Sequence, residues 1–225
     1  DPISNPTASA MYLLAKHARK EVTVALTGNG GDEFFGGYDR YRLALAAHYY
    51  KKLPGFVRAV GNVHPKVAKL EYTNDVDLFA KFLFEKDAKL SRVIAPDVFT
   101  SDAPVKKYFE ERYFHAPSAD PAEALMAADQ RSWLSDHFFM LSDKMSMASA
   151  LEERMPLCDK ELTAFARSLP RRYKVDLFRT KKVLKDAFKD DLPEFLFKQP
   201  KRGWFAPAAK WLRNPEFSRF ARDVL

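Results

Sequence analysis

The residues best placed to do chemistry lie in one glycine-rich segment near the start of the chain. Five of the eight glycines fall within ten residues: Gly28, Gly30, Gly31, Gly36 and Gly37. The segment follows a short β-branched apolar run, residues 22–27, and precedes a helical pattern. Consecutive backbone N–H groups in such a turn can converge on an anion, and the helix start adds partial positive charge. This spacing indicates a phosphate-binding loop.

Two common phosphate motifs do not fit this loop. A Walker A loop ends in Gly-Lys-Ser/Thr, and no lysine is present here. The dinucleotide fingerprint needs glycine at position 33, where Glu33 stands. Asp32 and Glu33 form a pair of adjacent carboxylates, and a carboxylate beside a phosphate usually implies a bridging Mg²⁺. The alternative is a ligand-free turn in which Asp32 caps the helix.

Two further clusters carry charge in unusual places. Residues 143–156 (DKMSMASALEERMP) place Asp143, Glu152 and Arg154 in an otherwise apolar helical pattern. They form either a buried ion network at a site or a solvated helix face, and the local sequence favours the solvated face.

The second cluster, residues 179–182 (RTKK), stands at an expected helix start, where cations oppose the helix dipole. A polyphosphate held between Mg²⁺ and a lysine would reconcile this basic segment with the acidic loop.

The elements that position these clusters are mostly helical. Helices are expected at residues 8–20, 121–150, 160–168, from about Thr180, and at 207–224, and residues 91–121, with four prolines, are expected to form a lid or a long connection. Leu134, Phe138, Leu141, Met145 and Ala148 follow a 4-3-4-3 spacing that predicts one core-facing stripe. Residues 22–27 are the one expected strand. Because a single strand forms no sheet, either its partners lie outside these residues or the segment is not a strand.

Composition narrows the class of protein. A chain of 225 residues with 47% apolar and 30% charged residues forms one large or two small domains and is not disordered. No apolar run is long enough to span a membrane. The start at Asp1 predicts a fragment or a processed chain, without a visible signal peptide. The single cysteine, Cys158, predicts a reduced cytoplasmic protein with a half-buried thiol.

The net charge of +7 is concentrated at the C-terminal end. Residues 166–225 hold 16 Lys and Arg against 7 Asp and Glu. Such a surface attracts nucleic acid, a membrane surface or a phosphorylated small molecule. A non-catalytic basic helical binding module is therefore one alternative, and a structural helical domain is another. The basic residues show no known nucleic-acid reader motif, which makes nucleic acid an unfavoured partner.

Three ordered blocks carry a family resemblance. Residues 26–38 (LTGNGGDEFFGGY) resemble the "SGxGGDELFGGY" segment of glutamine-dependent asparagine synthetases. Residues 143–159 resemble the "D+xSMAxSLExRxPFLD" signature of that family, and residues 181–204 resemble its "KxxLR…LP…RxKxGF" tail. The blocks extend across residues 1–214 and are far more specific together than the glycine segment alone.

The resemblance implies a fold and a reaction. The fold class is mainly α with a remnant of an α/β parallel sheet, of the adenine-nucleotide α-hydrolase-like, pyrophosphatase-loop family. Residues 1–225 would be the C-terminal portion of the synthetase domain, without the glutaminase domain and the "SGGxDS" loop, and inactive alone. Family members use ATP and Mg²⁺ to adenylate aspartate, release pyrophosphate and amidate the adenylate with ammonia from glutamine. The implied partners are these small molecules and the glutaminase part, and a homodimer is left open.

The resemblance also assigns roles to residues. Asp32 resembles the carboxylate near Mg²⁺-pyrophosphate, and Lys181 resembles the lysine that contacts pyrophosphate during adenylation. Thr27, Gly28, Gly30 and Gly31 are the implied ATP-binding residues together with Lys181, while Glu33, Asp143, Glu152 and Arg154 are further motif residues.

One position departs from the family pattern. In the family that this segment resembles, the position is usually Glu or Asp and lies near the nitrogen nucleophile, whereas this chain has Asn29. An amide cannot take a proton from ammonium as a carboxylate can. A related amide-forming ligase acting on another carboxylate, like the β-lactam synthetases, peptide cyclases or polysaccharide-cluster homologues, is therefore the alternative enzyme.

Overall fold

The computed structural model describes residues 5–68, 70–83, 103–114, 118–199 and 206–224. Within these ranges the chain is mainly helical, with one small parallel sheet. The α-helices are α1 Thr7–Ala18, α2 Gly31–Phe35, α3 Asp39–Lys51, α4 Gly55–Gly61, α5 Pro65–Ala68, α6 Asp75–Leu83, α7 Ala103–Tyr113, α8 Pro121–Asp129, α9 Met140–Met147, α10 Lys160–Ser168, α11 Lys182–Ala187, α12 Glu194–Lys198, α13 Ala208–Trp211 and α14 Pro215–Val224. A π-helix, Gln130–Phe139, joins α8 to α9, and 3-10 helices form at Pro156–Cys158 and Arg171–Tyr173.

The expected strand exists and has a partner inside the chain. β1, Val24–Leu26, pairs in parallel with β2, Glu152–Arg154, and Ala25 lies opposite Glu153. The sequence analysis missed β2 because its three charged residues have low strand propensity. The middle residue of each strand is half-buried while its neighbours point to solvent, which is the alternation of a strand and not the solvated helix face that was expected for residues 143–156.

Other expectations hold with shifted boundaries. The helix expected at 160–168 is confirmed as α10, and the helix expected from about Thr180 begins at Lys182. The proline-rich stretch 91–121 lies partly outside the described residues, and its described part contains α7 rather than an extended connection. No helix within the described ranges is long and apolar enough to cross a membrane.

The chain divides into two compact units. The first comprises residues 1–27, 137–156 and 193–225, and the second comprises residues 28–136 and 157–192. In the first unit α1 packs against α9, and the amide of Asn5 hydrogen-bonds the ring of His137 at 2.9 Å. β2 packs against α9 as well, so α9 supports both α1 and the sheet.

The predicted apolar stripe is only partly correct. Leu134 and Leu141 are buried, Phe138 and Met145 are half-buried, and Ala148 is exposed. Residues 130–139 form a π-helix, whose wider turn moves successive side chains off the face that a 3.6-residue period predicts.

The second unit contains the main core. α3 packs against α8, and α6 packs against both α7 and α8. The centre of the core is aromatic and aliphatic, and Tyr41, Leu45, Leu78, Phe79 and Leu125 are all at most 2% exposed. Five fully buried side chains of this size typically contribute on the order of 10 kcal/mol against chain entropy. This core is therefore the base of residues 28–37, which follow β1, and of residues 174–182, which follow the second 3-10 helix.

Candidate active site

The glycine-rich segment, residues 28–37, forms a tight turn into α2 and is called the glycine loop below. Gly30 takes φ +87°, a left-handed conformation that side chains disfavour, and a Cβ there would collide with Sγ of Cys158. Its carbonyl accepts the N–H of Phe34 at 2.9 Å and so starts α2. Around Gly28, by contrast, an added Cβ would meet nothing within 4 Å. The glycine loop therefore has no room for a side chain at Gly30, whereas the space beside Gly28 is free of protein atoms.

Thr27 ends the strand that leads into this loop. Its N–H donates to the carbonyl of Arg154 at 2.8 Å and extends the parallel ladder by one bond. Its Oγ1 is buried without a hydrogen-bond partner among the described residues. A buried hydroxyl of this kind is costly unless a further group satisfies it. Thr27 is therefore a candidate contact for a polar ligand at the start of the glycine loop.

Asp32 and Lys181 form an ion pair at the glycine loop. Nζ of Lys181 lies 2.8 Å from Oδ1 of Asp32, and both side chains are about one-fifth to one-third exposed. Gly37 makes room for the pair, since a Cβ there would collide with Oδ1 of Asp32 and with Cε of Lys181. The structure thus brings together two predicted residues that are far apart in sequence, and it shows why residue 37 has no side chain.

The backbone at Lys181 is strained. Lys181 has φ +52° and precedes α11, a conformation that costs a non-glycine residue about 1–2 kcal/mol. The turn before it is fixed by Asp176, which accepts the N–H groups of Phe178 at 2.8 Å and Arg179 at 2.7 Å. Lys182 adds an ion pair of 2.7 Å to Asp176. The hydrogen bond from the Lys182 side chain is the main reason that the pKa of Asp176 falls to about 2.

Asn29 lies half-buried in the glycine loop beside Cys158. Its carbonyl oxygen accepts a hydrogen bond from the Cys158 thiol at 3.3 Å. Burial raises the pKa of that thiol to about 11, so it remains protonated at neutral pH and acts as a donor. The half-buried position predicted for the thiol is confirmed, since Cys158 is of intermediate exposure.

Glu33 points into the second unit and not into solvent. It is 2% exposed, and the hydroxyl of Tyr38 donates to its Oε1 at 2.5 Å. Burial raises the pKa of Glu33, while the hydrogen bond from Tyr38 acts in the opposite direction. The amide of Gln130 donates to the backbone carbonyl of Glu33 at 3.1 Å. Through these two hydrogen bonds Glu33 stabilises the position of α2 in the second unit.

A buried charge network continues this support, and the sequence analysis missed it. The guanidinium of Arg40 lies 4.0 Å from the ring centre of Tyr38 and donates from Nε to Asp129 at 2.8 Å. The hydroxyl of Tyr41 donates to the same oxygen of Asp129 at 2.6 Å. Asp129 is fully buried, so its charge depends on these two donors. Spacing gives no sign of this contact, because Arg40 and Asp129 are 89 positions apart.

The remaining predicted residues belong to the first unit. Asp143 is exposed on α9. Glu152 and Arg154 form an exposed ion pair of 2.5 Å on β2, with side chains 50% and 67% exposed. The buried ion network considered for these residues is therefore not found. The carboxylate that points inwards is their neighbour Glu153, which accepts a hydrogen bond from the hydroxyl of Ser142.

The described residues contain no cluster of three or more His, Cys, Asp or Glu side chains that could bind a metal by themselves. Asp32 is the one predicted metal ligand, and it pairs with Lys181. A single carboxylate still fits a magnesium ion that takes most of its ligands from phosphates and water, which is how Mg²⁺ binds with nucleotides. The chemistry of the site therefore fits a magnesium-bound polyphosphate.

Comparison with known proteins gives a consistent match. The family model described as asparagine synthase matches residues 1–225. "Asparagine synthetase [glutamine-hydrolyzing] 1" of Bacillus subtilis is 29% identical over 240 residues, covering 100% of this chain and 37% of that protein. A putative asparagine synthetase of Mycobacterium tuberculosis is 29% identical over 235 residues, covering 98% of the chain and 35% of the relative. No solved structure matches. The chain thus spans about a third of the length of these curated relatives.

Proposed function

The chain belongs to the asparagine synthase family, and on that premise we propose that its full-length gene product is a glutamine-hydrolysing asparagine synthetase. It would adenylate aspartate with ATP, release pyrophosphate, and amidate the adenylate with ammonia from glutamine to give asparagine and AMP. The observation that carries the proposal is the ion pair of Lys181 and Asp32 at the glycine loop, with N···O 2.8 Å. It places one cation and one carboxylate beside backbone N–H groups.

Each of these residues has a role in the proposed adenylation. The Lys181 ammonium stabilises negative charge that develops on the leaving pyrophosphate, which lowers the transition state more than the ground state. Asp32 would hold the magnesium ion, which neutralises the phosphates when bound. The open space at Gly28 and the unsatisfied hydroxyl of Thr27 would receive the nucleotide.

The proposed place of the chain in the protein follows the same family. Residues 1–225 would form the C-terminal portion of a synthetase domain with the nucleotide α-hydrolase-like fold. A parallel pairing such as β1–β2 is the arrangement that this fold uses in its sheet. A glutaminase part of the same protein would supply the ammonia, and the cytoplasm would be the location.

Asn29 favours an alternative acceptor. Its half-buried amide cannot remove a proton from ammonium. The nearby carboxylates are already engaged, because Asp32 pairs with Lys181 and Glu33 accepts from Tyr38. A related amide-forming ligase with another carboxylate substrate is therefore the second candidate.

The test uses the full-length gene product and two lysine variants. ATP–pyrophosphate exchange should depend on aspartate. Lys181→Ala should lower the kcat of exchange about 10²–10³-fold while the KM for ATP changes much less. Lys189→Ala removes an exposed lysine just beyond α11 and should change neither value. A near-normal kcat for Lys181→Ala would refute the proposed role, and exchange stimulated by another carboxylate alone would favour the second candidate.

A further inference from the structure

A cavity of about 690 Å³ opens in the second unit on the side of α8 and α10. Its walls combine apolar surface from Met126, Leu169 and Pro170 with the charged residues Arg131, Arg167 and Lys174. This volume is within the usual range for small-molecule sites. Neither residues 27–32 nor Lys181, which form the proposed nucleotide site, line the cavity.

Lys174 is the unusual residue of this cavity. It is only 6% exposed, yet its ammonium has no hydrogen bond or ion pair with any of the residues that the structure describes. Its backbone is fixed, since its N–H donates to Arg171 at 2.7 Å and its carbonyl accepts from Lys182 at 2.9 Å. Burial lowers its pKa, against a weaker opposing effect of Glu123. Its Nζ is not one of the described nitrogen and oxygen atoms that are both fully buried and without a partner, so the ammonium faces the open space of the cavity.

The other charged groups of the cavity are partly engaged. Nε of Arg167 donates to the side-chain oxygen of Gln130 at 3.0 Å, and Nη1 of Arg131 donates to the carbonyl of Tyr113 at 3.1 Å. Oε1 of Glu123 accepts the N–H of Arg171 at 3.0 Å. Three cations and one carboxylate therefore line the cavity, and this positive balance favours an anion. The apolar surface of Met126, Leu169 and Pro170 favours an anion with an apolar body over inorganic phosphate.

We propose that this cavity binds a small organic carboxylate, which pairs with the Lys174 ammonium and lays its apolar part against Met126 and Leu169. The site is separate from the proposed chemistry and does not depend on it. It also gives a use to part of the C-terminal positive charge, because Arg167 and Lys174 both belong to residues 166–225. The hydrogen bonds from Arg167 to Gln130, and from Gln130 to the carbonyl of Glu33, connect its wall to α2.

The test measures binding of isovalerate, a monocarboxylate with a branched apolar body, to the full-length gene product. Titration calorimetry and the concentration dependence of Tm report binding without any enzymatic assay. Isovaleramide has the same shape without the charge and should bind at least 10-fold more weakly. Lys174→Met keeps the length of the side chain, should fold because it removes a buried charge, and should weaken isovalerate binding about 10- to 100-fold.

The matched control is Lys160→Met, which removes an exposed lysine from the start of α10 in the same unit. It should leave isovalerate binding unchanged. The proposal is overturned if isovaleramide binds as tightly as isovalerate, if Lys160→Met weakens binding as much as Lys174→Met, or if isovalerate does not bind. Binding of inorganic phosphate in place of isovalerate would overturn it as well, because it would assign the cavity to a different anion.

Discussion

Replacing Lys181 by glycine should give a protein that is more stable than Lys181→Ala and equally inactive. Lys181 and Ala150 are the two non-glycine residues with positive φ, +52° and +56°, among those that the structure describes. At both positions, exchanging alanine for glycine removes the same Cβ. Positions 181 and 150 therefore form a matched pair in which only one side chain has a proposed role.

The magnitude follows from two opposing effects. A left-handed conformation costs an L-residue about 1–2 kcal/mol, which glycine avoids. Glycine loses more conformational freedom on folding, at a cost of about 0.5–1 kcal/mol. The difference of the two ranges is about 0–1.5 kcal/mol, and its midpoint of about 0.75 kcal/mol is a net stabilisation that raises Tm by roughly 1.5–3 °C for a chain of this size. The lost ion pair with Asp32 cancels in the comparison of Lys181→Gly with Lys181→Ala.

The assay combines thermal unfolding with ATP–pyrophosphate exchange in the full-length gene product. Ala150→Gly should raise Tm and leave exchange unchanged. Lys181→Gly should have a higher Tm than Lys181→Ala, and both should lose about 10²–10³-fold in kcat. Equal Tm values for the two Lys181 variants would show that the backbone there is unstrained, and retained exchange in Lys181→Gly would remove the ammonium from the reaction.

Three further predictions concern the same segments. Asn29→Asp should raise amide formation in the full-length gene product while exchange changes little, and equal amide yields would leave Asn29 a purely conformational role. Gly37→Ala forces the Lys181–Asp32 pair apart and should lower exchange at least 10-fold, whereas Gly55→Ala, where an added Cβ meets nothing within 4 Å, should not lower it. The pKa of Asp176 is lowered by Lys182, so its contribution to stability is complete above pH 4 and is lost as the pH falls towards about 2. Asp176→Asn should therefore lower Tm at pH 7, and its difference from wild type should narrow below pH 4; a constant difference would contradict the assigned pKa.

The sequence predicts the parts of the site that depend on local chemistry. Clustered glycines predict a turn with a backbone conformation that other residues disfavour, and Gly30 has the expected positive φ. Lys181 and Asp32 were identified separately, and the structure joins them. The sequence could not show why residue 37 is glycine. The space that a side chain would need there is occupied by Asp32 and Lys181, which is a matter of tertiary packing.

Two of the differences between sequence and structure come from long-range contacts, and one comes from the end of a helix. β2 consists of Glu152, Glu153 and Arg154, so its strand conformation comes from pairing with β1 and not from intrinsic propensity. The predicted stripe ends before Ala148, because Ala148 is the C-cap residue beyond the end of α9. The network of Arg40, Tyr41 and Asp129 joins distant segments and leaves no periodic signal. The strand and the network thus depend on long-range contacts, which local sequence preference does not report.

The parallel pairing of β1 with β2 also has a consequence for synthesis on the ribosome. Val24 of β1 is synthesised 128 residues before Glu152, its partner in β2. At typical elongation rates of about 5–20 residues per second, β1 waits roughly 6–26 s for β2. During that interval the backbone N–H and C=O groups along both edges of β1, Val24–Leu26, have no strand partner within this part of the chain. They can therefore pair with a wrong strand. The nascent chain therefore passes through a vulnerable period whose length is set by the distance between its two strands, and slower translation of the intervening helices would extend it.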